Sequence, residues 1–249
     1  MSEAYIDNTT DELVKWFDAT ASQYQPTDER VTARLRDVKM VPVIGITAVG
    51  KTTVMRQLAQ NHSDFERVQG FTTRPARPGE PDDLYRFYPH DTEQLVALRA
   101  QAIDGRLVQY AVHPTTNHLY GTEVVDYPRP FALKDMLSGA VNQLGSVGFK
   151  DVLSVVVVCE PELWRERFQS RQQSVGDQKK RLLEARRSLN WSLDAGNVHF
   201  IDNSSTPEAA AKQLVEVCSN PDCSNDSSSD LVIELIDVVE AMINSHPNS

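Results

Sequence analysis

The chain has 249 residues, enough for one large domain with extensions or at most two domains. Its 40% hydrophobic and 24% charged content is that of a globular protein, and a formal charge of −10 argues against general binding to nucleic acid. No apolar run approaches the roughly 18 residues of a membrane span. Met1-Ser2-Glu3-Ala4 lacks a basic stretch leading into an apolar one, so a cytoplasmic chain without a signal peptide is expected.

The first forty residues read as a helical extension, 1–40. Thr9 and Glu12 have the spacing of a capping box ahead of Leu13, Trp16 and Phe17 on one helical face. After Pro26, Val31, Leu35 and Val38 repeat at helical spacing, and both stripes are expected to pack on the main domain. From Val41 strand and helix signals alternate. Val43–Ile46 is a predicted strand, with Pro42 tolerable at its first position, and Thr52–Gln60 is a helix. Asp91–Ala102 is a second helix, stopped near Gly105. Phe131–Leu133 is a short strand and Met136–Leu144 a helix. The β-branched run Val152–Cys159 suits a parallel strand buried on both faces. Pro161 opens a helix carrying Leu163, Trp164 and Phe168, Asn197–Ile201 is a strand, and Thr206-Pro207-Glu208 starts a helix through Cys218. This alternation predicts an α/β fold, a parallel sheet covered by helices, over 41–218. Residues 219–230 read as a Ser/Asn/Asp-rich linker. In 231–249, Leu231–Ile243 forms an amphipathic helix that docks on the domain or pairs with another chain. Cys159, Cys218 and Cys223 have no metal-ligand spacing, and reduced thiols are the simplest account.

Gly45-Ile46-Thr47-Ala48-Val49-Gly50-Lys51-Thr52-Thr53 carries the chemistry. It is G-x-x-x-x-G-K-T between a strand and a helix, a turn whose backbone N–H groups wrap a polyphosphate. Gly45 and Gly50 supply angles and closeness that a side chain forbids. Lys51 reaches the β- and γ-phosphates, the Thr52 hydroxyl holds Mg2+, and the helix aims its positive end at the same anion. Gly45, Thr47, Val49, Gly50, Lys51, Thr52 and Thr53 are therefore the expected ATP-binding residues. Further on, Thr72-Thr73-Arg74-Pro75-Ala76-Arg77-Pro78-Gly79-Glu80 places two arginines three apart, able to fork onto one phosphate. Tyr85-Arg86-Phe87 and Tyr120-Gly121-Thr122 follow.

At this point the chain resembles guanylate kinases, which carry a phosphate loop followed by T-T-R-x-x-R-x-G-E, Y-x-F and Y-G-S/T. The resemblance spans roughly Val41 to Val217. It implies a P-loop NTPase-type fold with a small acceptor-binding subdomain near 69–125 and a lid near 165–187. It implies that Arg74, Arg77, Tyr85 and Tyr120 grip the phosphate of a monophosphate acceptor, with Gln109 and Thr122 on the substrate side. Arg171 and Arg181 match lid arginines that contact the transferring phosphate, so Lys51, Arg171 and Arg181 form the expected catalytic set. Asp202 or Asn203 falls at the adenine-side loop.

The base-reading residues depart from the pattern. Gln109 stands where the family has a glutamate that accepts guanine's N–H donors, Met136 where it has a second aspartate, and Gly70 where it has a serine. Asp135 serves as the Mg2+-side carboxylate beside Thr52 only if the strand register slips by one residue. An insertion in His113–His118 reshapes the same wall, and its histidines stabilise a loop rather than bind metal. Each guanine donor left unpaired costs about 1–3 kcal/mol, and losing two acceptors weakens discrimination by about 10²–10⁴.

The expected function is ATP- and Mg2+-dependent phosphoryl transfer to a phosphate-bearing acceptor, foremost a nucleoside monophosphate such as GMP. Another monophosphate or a sugar phosphate is the alternative acceptor. A non-catalytic nucleotide-binding or protein-interaction module of the same fold is the alternative class. A small-molecule nucleotide is the expected partner, with no nucleic acid and no membrane, and the terminal helices are the surfaces offered to any protein partner.

Overall fold

A computed structural model describes residues 9–77, 80, 85–113, 116–128, 130–141, 144–171, 174–221 and 229–245. Pro78 and Gly79 of the arginine motif, Cys223, most of the 219–230 linker and the last four residues lie outside the described residues.

Helix α1 (Thr10–Ala21) starts where the Thr9 hydroxyl accepts the Glu12 amide, and α2 (Glu29–Leu35) is capped by Asp28. Strand β1 (Lys39–Ile44) leads through the glycine turn into α3 (Lys51–Asn61). Then follow β2 (Phe65–Arg67), β3 (Gly70–Thr72), β4 (Tyr85–Phe87), α4 (Thr92–Ile103), β5 (Leu107–Val112) and β6 (Leu119–Glu123). Next come β7 (Phe131–Asp135), α5 (Ser138–Val141), β8 (Asp151–Val152) and β9 (Ser154–Val158). The chain continues with α6 (Pro161–Gln169), α7 (Val175–Asp194), β10 (Val198–Asp202), α8 (Pro207–Ser219) and α9 (Ser229–Ser245).

These elements group into two compact units. The first takes segments 1–38, 68–128 and 145–150; the second takes 39–67, 129–144 and 151–249. In the second, β10-β9-β1-β7-β2 form a parallel sheet, with β8 beside the start of β1. Its centre reads as near-continuous Val and Ile because both faces are buried. In the first, β4-β3-β6-β5 form a mixed sheet. One face of that sheet packs Phe71, Tyr110 and Leu119 against Leu13 and Phe17 of α1 and Leu95 and Leu98 of α4.

Four expectations need correcting. Pro42 lies in the middle of β1, not at its start. It is tolerated because β1 pairs with β8 at Lys39–Met40 and with β9 at Val43–Ile44, so the ladder on that side skips the residue lacking a donor. The predicted strand Val152–Cys159 is accordingly two strands, interrupted at Leu153. The predicted helix Met136–Leu144 shrinks to α5 and a 3-10 turn at Leu144–Ser146, since Gly139 and Gly145 give a helix little support. Val38 lies beyond the end of α2.

The C-terminal helix docks within its own unit: Val232, Leu235 and Val239 are fully buried in the core that also holds Leu182, Ala185 and Leu189 of α7. Arg186 of α7 pairs with Glu240 at 3.4 Å. Its apolar stripe is therefore spent inside the molecule. Leu235→Ala should cost about 2–5 kcal/mol in chemical denaturation, with the oligomeric state unchanged in sedimentation.

Candidate active site

In the second unit the turn after β1 is shaped by side chains that hold its carbonyl oxygens. Lys51 Nζ donates to Gly45 O at 2.6 Å, Trp164 Nε1 to Thr47 O at 2.9 Å, and Asn203 Nδ2 to Val49 O at 2.8 Å. Alternate carbonyls are thus tied outward, and the turn runs into the first N–H groups of α3, which have no intrahelical acceptor. Gly45 has φ +148° and a Cβ there would stand 2.7 Å from Val157 O. Gly50 has φ +103°, and a Cβ there would meet Asn203 Nδ2 at 2.3 Å. Ala48 between them is also left-handed, at φ +72°, a conformation that costs an L-residue about 1–2 kcal/mol. Val49 is fully buried, whereas Thr52 is half-buried on the first turn of α3 and Thr53 is exposed.

Asp135 ends β7 and lies 3.7 Å from Lys51 Nζ with about half its side chain accessible, 49%. The β1–β7 pairing runs residue for residue from Lys39↔Phe131 to Val43↔Asp135. This unbroken pairing carries the Asp135 carboxylate to the lysine. Met136, next in line, is buried and bonds Val43 O through its amide. Protein atoms crowding the Asp135 carboxyl raise its pKa, opposed by the charge of Lys51. Glu184 of α7 belongs to the same electrostatic neighbourhood, raised by burial and pulled down by Lys51 and Arg181. Arg171 is lowered by burial and by the positive charge of Arg181, so the two arginines expected from the resemblance do come together. A pocket of about 320 Å3 opens beside the turn, lined by Ala48, Gly50, Thr53, Arg167, Arg171 and Asn203. Asn203 is 2% exposed and its Oδ1 has no partner.

In the first unit the strand alternation gathers the other expected residues. Phe71 and Gly121 face each other on the core side of the sheet; a Cβ on Gly121 would collide with the Phe71 ring. Side chains at the alternate positions therefore point the opposite way: Gly70, Tyr85, Phe87, Tyr120, Thr122 and Gln109 share the outer face. The Arg74 guanidinium lies 5.4 Å over the Tyr85 ring and 5.3 Å over the Phe87 ring, and its Nε donates to Tyr120 Oη at 3.1 Å.

Arg74 is buried and heavily engaged. Its terminal nitrogens grip both oxygens of Glu80, one at 2.7 Å, and one also donates to Pro75 O at 2.9 Å. Glu80 takes the Arg77 amide at 2.9 Å as well, while the Arg77 side chain stays exposed. The two arginines are therefore not equivalent: Arg74 is buried and held by Glu80 and Tyr120, whereas the Arg77 side chain is exposed. Thr122 also differs from expectation, being fully buried with its hydroxyl 2.9 Å from that of Tyr127. Gln109 sits opposite Thr122, and its Oε1 is buried without a partner, at a cost of about 1–3 kcal/mol. His118 is held below the usual histidine range by burial and by His90, Arg74 and His113. The His113 amide closes the loop on His118 O at 2.9 Å.

Several of these groups escaped sequence reading. Glu80 was visible in the motif but had no role; its acidic charge three residues after Arg77 was the available signal. Trp164 looked like core, and nothing local marks it as a donor to Thr47. Glu184 shares a helical face with Arg181 at i, i+3, but only the fold brings that face to Lys51.

Arg74 holds the Glu80 carboxyl below its ordinary value of 4.5, so the pair's stabilisation is complete above that pH and fades as pH falls through the lower folded value. The stability gap between the natural chain and Glu80→Gln should be flat above pH 4.5 and narrow below it, in denaturant titrations. Ala48→Gly removes strain of about 1–2 kcal/mol against about 0.4–1 kcal/mol of added unfolded-state entropy. Its denaturation midpoint should therefore rise slightly, not fall.

No protein-family model matches the chain. A guanylate kinase from Schizosaccharomyces pombe is 26% identical over 210 residues, covering 76% of this chain and 95% of that one. One from Oceanobacillus iheyensis is 38% identical over 80 residues, a match spanning 31% of this chain and only 35% of that protein. The crystal structure of guanylate kinase from Anaplasma phagocytophilum superposes with a TM-score of 0.51 at 19% identity, covering 76% of this chain and 87% of that chain. With the parallel sheet, the flanking helices and the glycine turn after β1, these likenesses show that the chain is similar to guanylate kinases and shares their α/β fold.

Proposed function

We propose that the protein transfers the γ-phosphate of ATP to a purine nucleoside monophosphate, the class of acceptor that the relatives' names point to. The observation that carries this reading is the concentration of cationic side chains about the glycine turn in a chain of formal charge −10. Lys51 lies on the turn, and Arg171 and Arg181 are close enough to repel each other. Moving a phosphoryl group demands charge neutralisation more than covalent chemistry, and correctly placed arginines supply about 10³–10⁵ in rate.

In this reading the amides from Gly45 to Thr53, with Thr47 and Val49 between, cradle the donor phosphates, and Lys51 swings from Gly45 O to the β- and γ-phosphates. Thr52 and Asp135 provide hard oxygen donors of the kind Mg2+ takes, alongside phosphate oxygens and water. When bound, Mg2+ would neutralise charge on the phosphates. Arg77 and the Tyr85 and Tyr120 hydroxyls take the acceptor phosphate, with Arg74 holding Tyr120 in place, and Arg171 and Arg181 meet the transferring group.

An intact Lys51 and both lid arginines weigh against a purely structural module. A coupled assay with ATP, Mg2+ and a panel of monophosphates that includes ribose 5-phosphate tests the proposal. Lys51→Ala should lower turnover at least about 10³-fold, and Arg77→Ala should raise the acceptor KM by about tenfold or more. Full turnover in Lys51→Ala, or ATP binding without turnover of any acceptor, would remove the kinase reading.

A further inference from the structure

The outer face of the four-stranded sheet carries an unexplained group. Gln109 Oε1 is buried and has no hydrogen-bond partner. The neighbouring positions in the sheet do not supply one. Gly70, on the same face, bears no side chain, and a Cβ there would stand 2.7 Å from Gly121 O and 3.3 Å from Thr122 Cγ2. The Thr122 hydroxyl, opposite Gln109, is already 2.9 Å from Tyr127 Oη. A buried amide oxygen left in this state is costly unless a ligand completes it.

Its position says which part of a ligand that would be. Tyr120 and Thr122 are two residues apart on β6, so Gln109, which pairs with Thr122, lies about 7 Å along the strand from Tyr120. A nucleotide whose phosphate sits at Tyr120 and Arg77 would lay its base toward Gln109. The inference thus rests on the acceptor-face reading given above.

We infer that Gln109 reads a purine edge with one donor beside one acceptor, as adenine has, and that this chain takes AMP in preference to GMP. A side-chain amide offers one acceptor and one N–H donor, and it can turn over to present either order. Adenine's N6–H and N1, or N6–H and N7, complement it with two bonds. Guanine's N1–H and N2–H are two donors side by side, which need two acceptors; against an amide, one N–H faces another. Guanine could be read only through O6 and N1–H, leaving its N2 amine unpaired. One such pair is worth about ten- to a hundredfold in discrimination.

The test is calorimetric binding of AMP, GMP and ribose 5-phosphate to the full chain and to two variants, Gln109→Glu and Gln109→Met. The natural chain should bind AMP at least about tenfold more tightly than GMP. Gln109→Glu should reverse the order through tighter GMP and weaker AMP binding. Gln109→Met, which keeps the volume and introduces no charge, should weaken AMP until the two nucleotides are nearly equal. All three ligands binding with one AMP-to-GMP ratio in every protein, or GMP bound more tightly than AMP by the natural chain, would overturn this inference alone. Binding of none of the three would overturn the acceptor-face reading and this inference with it.

Discussion

The geometry of the glycine turn depends on where its carbonyl oxygens point. Six peptide groups between Gly45 and Lys51 would, left alone, scatter their dipoles. Donors from three elements instead pin every second carbonyl: Lys51 from α3, Trp164 from α6 and Asn203 from the end of β10. With the oxygens held, a phosphate meets mostly N–H groups and the positive end of α3. Gly50 must be bare because Asn203 occupies the space a Cβ would need. Ala48 accepts left-handed backbone as part of the same arrangement.

Charge in an acidic chain has to be placed, not merely present. On the acceptor face, Glu80 fixes Arg74 from below while Tyr85, Phe87 and Tyr120 flank it. Such a pair contributes little free charge to a ligand but sets the direction of Tyr120 and, through its bond to the Arg77 amide, the base of the exposed Arg77. Around the glycine turn the opposite holds, because burial and then the positive charge of Arg181 hold Arg171 below its ordinary value. Positive charge stored under mutual repulsion favours an arriving anion. The two units thus use arginine in two ways, one for shape and one for potential.

Much of this was legible in the chain itself. Glycine spacing, the lysine and threonine after it and the apolar run before it mark the strand–turn–helix at residues 39–61, because backbone sterics restrict those positions to few residue types. What escaped depends on distance across the fold. Pro42 is acceptable inside a central strand only because β8 and β9 leave a gap opposite it. Thr122 reads as a surface hydroxyl until Tyr127, five residues on, is seen to reach it. Nothing in the residue spacing shows that Asp135 pairs with Val43 across the sheet, which sets where its carboxylate lies. The terminal helices could have served a partner on pattern alone; burial of Val232, Leu235 and Val239 decides for the molecule's own core.

The central claim is that the glycine turn takes the donor nucleotide and the Arg77–Tyr120 face takes the acceptor. A dinucleotide with adenosine and a second purine nucleoside joined by five phosphates tests it directly, because one molecule must then satisfy both surfaces. The account predicts binding with one-to-one stoichiometry, at least about 10²-fold tighter than either mononucleotide, and displaced by ATP and by monophosphate alike. Binding no tighter than ATP alone, with two molecules per chain or with no displacement by monophosphate, would contradict it.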